Sequence, residues 1–170
     1  MEMISVIRGN IIDQNVDIIL NPINADIIFT KGIPLYIKKE GGEIIEKEAL
    51  KYYPGTLGSY FITTAGKLKA KYILHFINSE FAKTVNYKIL KEGLTSALES
   101  IFNLDVSSIA IPPIYDKFSQ YITAKIIKEA IYDAFIKKNK NYTVKIVVYD
   151  ENATEIFKKV IESSGENIVQ

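Results

Sequence analysis

The chain has 170 residues, 48% of them hydrophobic and 24% charged, and its 21 basic and 20 acidic side chains leave a net charge of +1. That length and balance predict one globular domain over residues 1–170 and give no electrostatic footprint of a nucleic-acid partner. With no cysteine and one histidine, disulfides, thiolate metal sites, cysteine nucleophiles and a conventional zinc cluster fall outside its expected chemistry.

Six short segments carry the β-branched and aromatic residues of buried strands. In chain order they are "ISVIRG" (4–9), "VDIILN" (16–21), "SYFITT" (59–64), "KYILHFI" (71–77), "SSIAIPP" (107–113) and "YTVKIVVYD" (142–150). Their nearly continuous apolar centres predict a sheet covered on both faces. Between them run helical patterns. Residues 34–53 form one that is broken at Gly41-Gly42, which predicts two short helices with Pro34 in the first turn. "NYKILKEGLTSALESIF" places Leu90, Leu94, Ala97, Leu98 and Ile101 on one face, and "ITAKIIKEAIYDAFIKK" does the same with Ile122, Ile126, Ile127, Ala130, Ile131 and Ala134. A last helix is expected to open at "NATE", capped by Asn152 with Glu155 reaching back, and to bury Ile156, Phe157, Val160 and Ile161.

No apolar run approaches the length needed to cross a bilayer, and "MEMISVIRGN" does not read as a secretory signal, so a cytoplasmic protein is expected. Abundant Ile, Lys and Tyr without Cys or Trp is a composition that suits a thermophile. The alternation of elements predicts a three-layer α/β/α fold around a mixed, mostly parallel sheet. Ligands of such sheets sit beyond the carboxyl ends of the strands, which directs attention to the turns after residues 21, 112 and 149.

Taken together, the order and spacing of four stretches resemble the macro domains, a family that binds ADP-ribose and related nucleotides. "ISVIRGNIIDQNVDIILNPIN" is similar to the family's first strand, its Gly-Asp-Ile turn and its Asn-Ala-Ala-Asn strand end. "PGTLGSYFITTAGKLKAKYILHFI" resembles the central Gly-rich and Ala-Lys-Tyr stretch. "LKEGLTSALESIFNLDVSSIAIPPI" resembles the long helix before a proline-containing turn, and "YTVKIVVYDENATEIFKKVI" the closing strand and helix.

The resemblance implies a nucleotide site built from Asn10, Ile11, Asn24, Gly32, Ile33, Tyr115, Lys117, Phe118 and Tyr149. Asn10 stands where the family has an adenine-binding aspartate; its amide oxygen still accepts, without charge and so more weakly, and the Ile11 N–H lies beside it. Asn10 reads equally as a turn residue after Gly9. Asn24 falls near the distal ribose, where an amide can donate to and accept from a diol, while Asn21 reads as a strand-end tie. Gly32-Ile33 matches the first phosphate loop, where glycine allows a backbone to approach a pyrophosphate.

Two departures stand out. Pro34 replaces the acidic residue of hydrolytic members and brings no N–H, and Lys38 stands where some of them have histidine. The second phosphate loop, "YDKFSQYITAK", has no glycine. In it Asp116 would repel a diphosphate, Lys117 would offset that charge, and Tyr115 or Phe118 would stack on a ring or fill a compact turn. Tyr149 matches an aromatic placed against adenine. His75, flanked by apolar residues, reads as a satisfied core histidine.

The resemblance therefore implies a divergent macro domain that binds ADP-ribose or a related adenine nucleotide, with no further cofactor and without the usual catalytic residues. Two alternatives stand beside it: a hydrolase acting on ADP-ribosyl or O-acetyl-ADP-ribose substrates, and a degenerate fold serving as a protein-interaction or structural unit.

Overall fold

A computed structural model describes residues 3–163. Six strands form one sheet: β1 (Ile4–Arg8), β2 (Ile18–Asn24), β3 (Tyr60–Thr64), β4 (Tyr72–Ser79), β5 (Ser108–Ile111) and β6 (Thr143–Val148). Five helices join them: α1 (Gly32–Gly41), α2 (Glu43–Ala49), α3 (Tyr87–Glu99), α4 (Gln120–Ile131) and α5 (Glu151–Ile161). The sheet order is β1-β6-β5-β2-β4-β3, parallel throughout except for β3, which pairs antiparallel with β4 at the edge. The three-layer, mostly parallel architecture expected from the alternation is the one observed.

Two apolar layers follow from the two faces of the sheet. Ile18, Leu20, Leu74, Ile109 and Ile146 point one way and pack on α3, α4 and α5, through Leu90, Leu94, Ile127 and Phe157 among others. Ile19, Ile73, Ile77 and Ala110 point the other way and pack on α1 and α2, through Ile37 and Ile45. Alternation along each strand divides the residues between the layers, because successive side chains leave a strand on opposite faces. Burying one such isoleucine contributes about 2 kcal/mol before the cost of ordering the chain is counted.

The break at Gly41-Gly42 is present: α1 ends at Gly41 and α2 begins at Glu43. The last helix differs from its expected start. Its cap is Asp150, whose carboxylate accepts from the Ala153 N–H at 2.9 Å, and Asn152 lies inside the first turn. The chain leaves β6 extended as far as Asp150, and the cap is the last residue in that conformation. Ile156 is 36% exposed and does not belong to the buried stripe; the helix turns Ala153, Thr154, Phe157 and Ile161 inward instead.

At the amino ends of the parallel strands, Asp17 joins β2 to β5. Its carboxylate accepts from the Ser107 N–H at 2.7 Å and from the Ser107 hydroxyl, and its own N–H donates to Ser108 Oγ at 2.8 Å. The Ser107 backbone bond, with Lys71 nearby, holds this carboxyl below its usual range. Asp17→Ala is expected to cost about 1–2 kcal/mol at neutral pH. Because the folded-state pKa is depressed, that contribution is present above the ordinary carboxylate value and lost as pH falls through the lowered one. Urea denaturation of wild type and variant at neutral and strongly acidic pH checks this: the two stabilities should converge in acid.

Candidate functional site: a crevice at the carboxyl ends of the strands

β2 and β5 are neighbours in the sheet, yet β2 leads to α1 on one face and β5 leads to α4 on the other. Their following loops diverge, which opens a crevice at the switch point between them. It has a volume of about 190 Å³ and is lined from the first side by Pro22, Ile33 and Pro34 and from the second by Pro113, Ile114, Tyr115 and Asp116. Asn78 at the end of β4 completes the lining and donates to the Ile114 carbonyl at 2.7 Å, which ties the second loop down. The sequence reading missed Asn78; its one signal was a polar residue directly after the apolar run 71–77.

Helix α1 begins at this crevice. Lys31 precedes it in extended conformation and supplies no side-chain cap, whereas Asn86, Ser119 and Asp150 cap α3, α4 and α5. The first backbone N–H groups of a helix have no partner within it and carry the positive end of its dipole. Here they belong to Gly32 and Ile33, since Pro34 has none. Pro34 thus sits in the first turn, lining the crevice, and Lys38 pairs with Glu46 of α2 at 2.9 Å.

The loop from Ala25 to Lys31 that delivers this helix is held by its own core contacts. Ile27 has φ +54, costly for a β-branched residue, with its side chain 2% exposed and its N–H bonded to the Asn24 carbonyl at 3.0 Å. Burial of Ile27 and Phe29 offsets the backbone strain and fixes the loop. Asn24 is half-buried, and its Oδ1 is shielded from solvent without a hydrogen-bond partner among the described residues. An orphaned amide oxygen at a strand end is unusual in folded proteins.

Asn21 is not the strand-end tie expected from the sequence: β2 runs on to Asn24, and Asn21 lies mid-strand, bonded across to β4. Its Nδ2 donates to His75 Nδ1 at 3.0 Å, and His75 Nε2 lies 2.9 Å from Thr63 Oγ1. Thr63 Oγ1 already donates to the Thr64 carbonyl, so Nε2 carries the proton. The ring is sandwiched against Phe61, which stacks in turn on Tyr52. Burial lowers the His75 pKa to about 3, so the imidazole is neutral.

The remaining expected site residues fall into two groups. At the β1–β6 end, Asn10 caps the short turn Ile11–Asp13 through an Oδ1 that accepts from the Ile12 N–H at 3.3 Å, and the Ile11 side chain is buried. Tyr149 is 81% exposed next to this turn, its carbonyl accepting from Arg8 Nε at 3.3 Å. After β5, Tyr115 and Phe118 pack edge to face with centroids 5.0 Å apart and lean on the core, while Lys117 is exposed. Ile33 and Tyr115 both line the crevice, from opposite loops; Phe118 and Lys117 are not part of its lining.

A doubly wound α/β/α domain with an uncapped helix N-terminus at its switch point belongs to a class of folds whose ligand crevices lie at the carboxyl ends of the strands. The sequence profile of the Macro domain family matches residues 20–130, and the chain belongs to that family. It is 32% identical over 168 residues to an uncharacterized protein of Sulfolobus acidocaldarius, covering 92% of this chain and 89% of that one. It is also 30% identical over 171 residues to a macro domain-containing protein of Caldanaerobacter subterraneus, with 95% and 97% covered. These relatives come from thermophiles, in line with the composition. Among solved structures, the Oceanobacillus iheyensis macrodomain with ADP is similar at a TM-score of 0.85 and 21% identity, over 97% of this chain and 93% of that one. The Trypanosoma brucei macrodomain in complex with ADP-ribose matches at a TM-score of 0.85 and 16% identity, over 94% and 69%. Among the described residues, no helix is long and apolar enough to cross a membrane.

Proposed function

We propose that this chain binds ADP-ribose or a related adenine nucleotide, with the diphosphate at the N-terminus of α1. The observation that carries the reading is that uncapped N-terminus, opening on the switch-point crevice that Ile33 lines. The ligands in the Oceanobacillus iheyensis and Trypanosoma brucei structures support it. In this reading Gly32 and Ile33 offer backbone N–H groups to the phosphates, and Asn24, half-buried at the end of β2, contacts the ribose. The exposed ring of Tyr149 and the Asn10–Ile11 turn receive the base. A cytoplasmic setting goes with this reading and with the absence of cysteine.

Two features weaken the interaction. The crevice of about 190 Å³ is smaller than a typical ligand pocket, so the nucleotide lies across it and part of it stays in solvent. Asp116 stands at the crevice and repels a diphosphate.

Calorimetry and thermal melts with ADP-ribose test the proposal. A ligand at 100 times its Kd stabilises a protein by about 2.7 kcal/mol, which for this size raises Tm by roughly 5–10 °C. Asn24→Ala is expected to weaken binding about tenfold, and Asp116→Asn to tighten it about threefold. Saturating ADP-ribose that produces neither heat nor a change in Tm rules the assignment out.

A further inference from the structure

A groove of about 1000 Å³ lies on the opposite layer, among α3, α4 and α5. One side of it is a stripe along α4 and the turn that continues it: Tyr121, Lys125, Lys128 and Tyr132, spaced by four, three and four residues. That spacing keeps them on one helical face over about 16 Å. Across the groove stand Ile156 and Lys159 of α5. The exposed Ile156, out of place in a buried stripe, is a wall of this groove.

The charges in it do not cancel. Asp133 is engaged by Lys91 at 2.7 Å, and Glu129 accepts from the Tyr87 hydroxyl at 2.6 Å. Lys125 and Lys159 form no ion pair among the described residues. Among the described residues Lys128 is held by neutral acceptors, the Val160 carbonyl at 2.7 Å and Ser163 Oγ at 2.9 Å. Its partial desolvation lowers its pKa, a cost that an anion in the groove would relieve. Four lysines and two carboxylates line the concavity, a formal excess of two positive charges inside a protein whose net charge is only +1, and among the described residues Lys125, Lys128 and Lys159 have no carboxylate partner. An aromatic ring closes each end of the lysine pair, and at Tyr132 the helix widens into a π turn, Tyr132–Ile136, a local irregularity common at functional sites.

We propose that this groove binds a segment of single-stranded nucleic acid, with bases against Tyr121 and Tyr132 and phosphates against Lys125, Lys128 and Lys159. Cations that track the backbone, flanked by flat rings for the bases, are the two components of sequence-tolerant single-strand binding. Packed helix axes lie about 8–10 Å apart, so the groove between α4 and α5 admits one strand and no duplex. An acidic peptide would satisfy the lysines and leave the rings without a purpose.

The test is fluorescence anisotropy with a labelled oligothymidylate of about twelve nucleotides, which carries no adenine and so separates this groove from the crevice. Binding is expected at about 50 mM salt, with a log–log salt slope near −2, about −0.7 for each of three neutralised phosphates. An excess of ADP-ribose should not compete. Lys125→Glu with Lys159→Glu should weaken binding at least about tenfold and flatten the slope; both side chains are exposed, so an unchanged melting curve shows that the variant folds. Tyr121→Ala should weaken it severalfold at unchanged slope. The proposal is overturned by absence of binding at low salt, by a folded double-glutamate variant that binds as wild type, or by oligoglutamate competing as well as oligothymidylate.

Discussion

Replacing His75 by leucine is expected to destabilise the protein by about 3 kcal/mol, a fall in Tm of roughly 6–12 °C for a chain of this size. The side chain is fully buried, so the loss does not come from solvent-exposed contacts. Among the described residues His75 is the one hydrogen-bond partner of the Asn21 side-chain amide, whose Oδ1 is already unpaired. Leucine would leave an entire amide desolvated without a partner, about 1–3 kcal/mol, and would remove the stack on Phe61, about 1 kcal/mol more. The distinguishing measurement is a second variant in which Asn21→Leu accompanies His75→Leu. Removing both polar partners together should recover much of the loss, since a pair replaced by apolar groups of similar shape leaves nothing unsatisfied. A double variant as unstable as the sum of the singles would place the cost elsewhere.

The same residue sets a pH dependence. Its folded pKa is about 3 because burial disfavours the imidazolium, while the ordinary value is 6.5. Between those values the unfolded chain binds a proton that the native state does not. Stability is therefore full above the ordinary value and falls as pH is lowered toward 3, by about 5 kcal/mol over the whole interval at 1.36 kcal/mol per unit. Urea unfolding near neutral pH and near pH 4 should show a steep loss in wild type and a much shallower one in His75→Leu. Parallel losses in the two proteins would mean that other groups carry the acid sensitivity.

Gly66→Ala is the second large effect, at about 3 kcal/mol. Gly66 turns the chain between β3 and β4 with φ +55, and a Cβ there would run into the Gly41 carbonyl oxygen. The left-handed backbone alone costs alanine about 1 kcal/mol. The clash adds about 2 kcal/mol, because the obstacle is backbone and is itself held by the Lys67 N–H at 2.9 Å. That carbonyl ends α1, so the turn also aims the helix whose first residues line the crevice. A thermal melt decides the matter: a loss near 1 kcal/mol would leave only the dihedral cost and no carbonyl contact. If the full loss is seen, ADP-ribose affinity should fall with it, through the displaced α1.

Secondary structure was legible because it is a local property. Every expected strand lies within a few residues of its observed place, since β-branched runs and turn residues act over short range. The Gly41-Gly42 break was visible for the same reason. Asp150 instead of Asn152 as the cap was not, because two neighbouring residues were both competent and only the exit path of β6 chose between them. The family was legible as a resemblance carried by four stretches together, and of the residues that it pointed to, Ile33 lines the crevice. Asn78 was not legible, since it reaches the crevice only through the pairing of β2 with β4.

The amino-acid order by itself determined the alternating elements, the two-sided core and the loops that could meet a ligand, because each depends on periodicity along the chain. Only tertiary structure decided the small crevice, the role of Asn10 as a cap and the inward packing of Tyr115 and Phe118. It also decided that Tyr121, Lys125, Lys128 and Tyr132 face Lys159 across a groove. Those outcomes depend on which surfaces of different elements come within a few ångströms, and a one-dimensional pattern does not contain that distance.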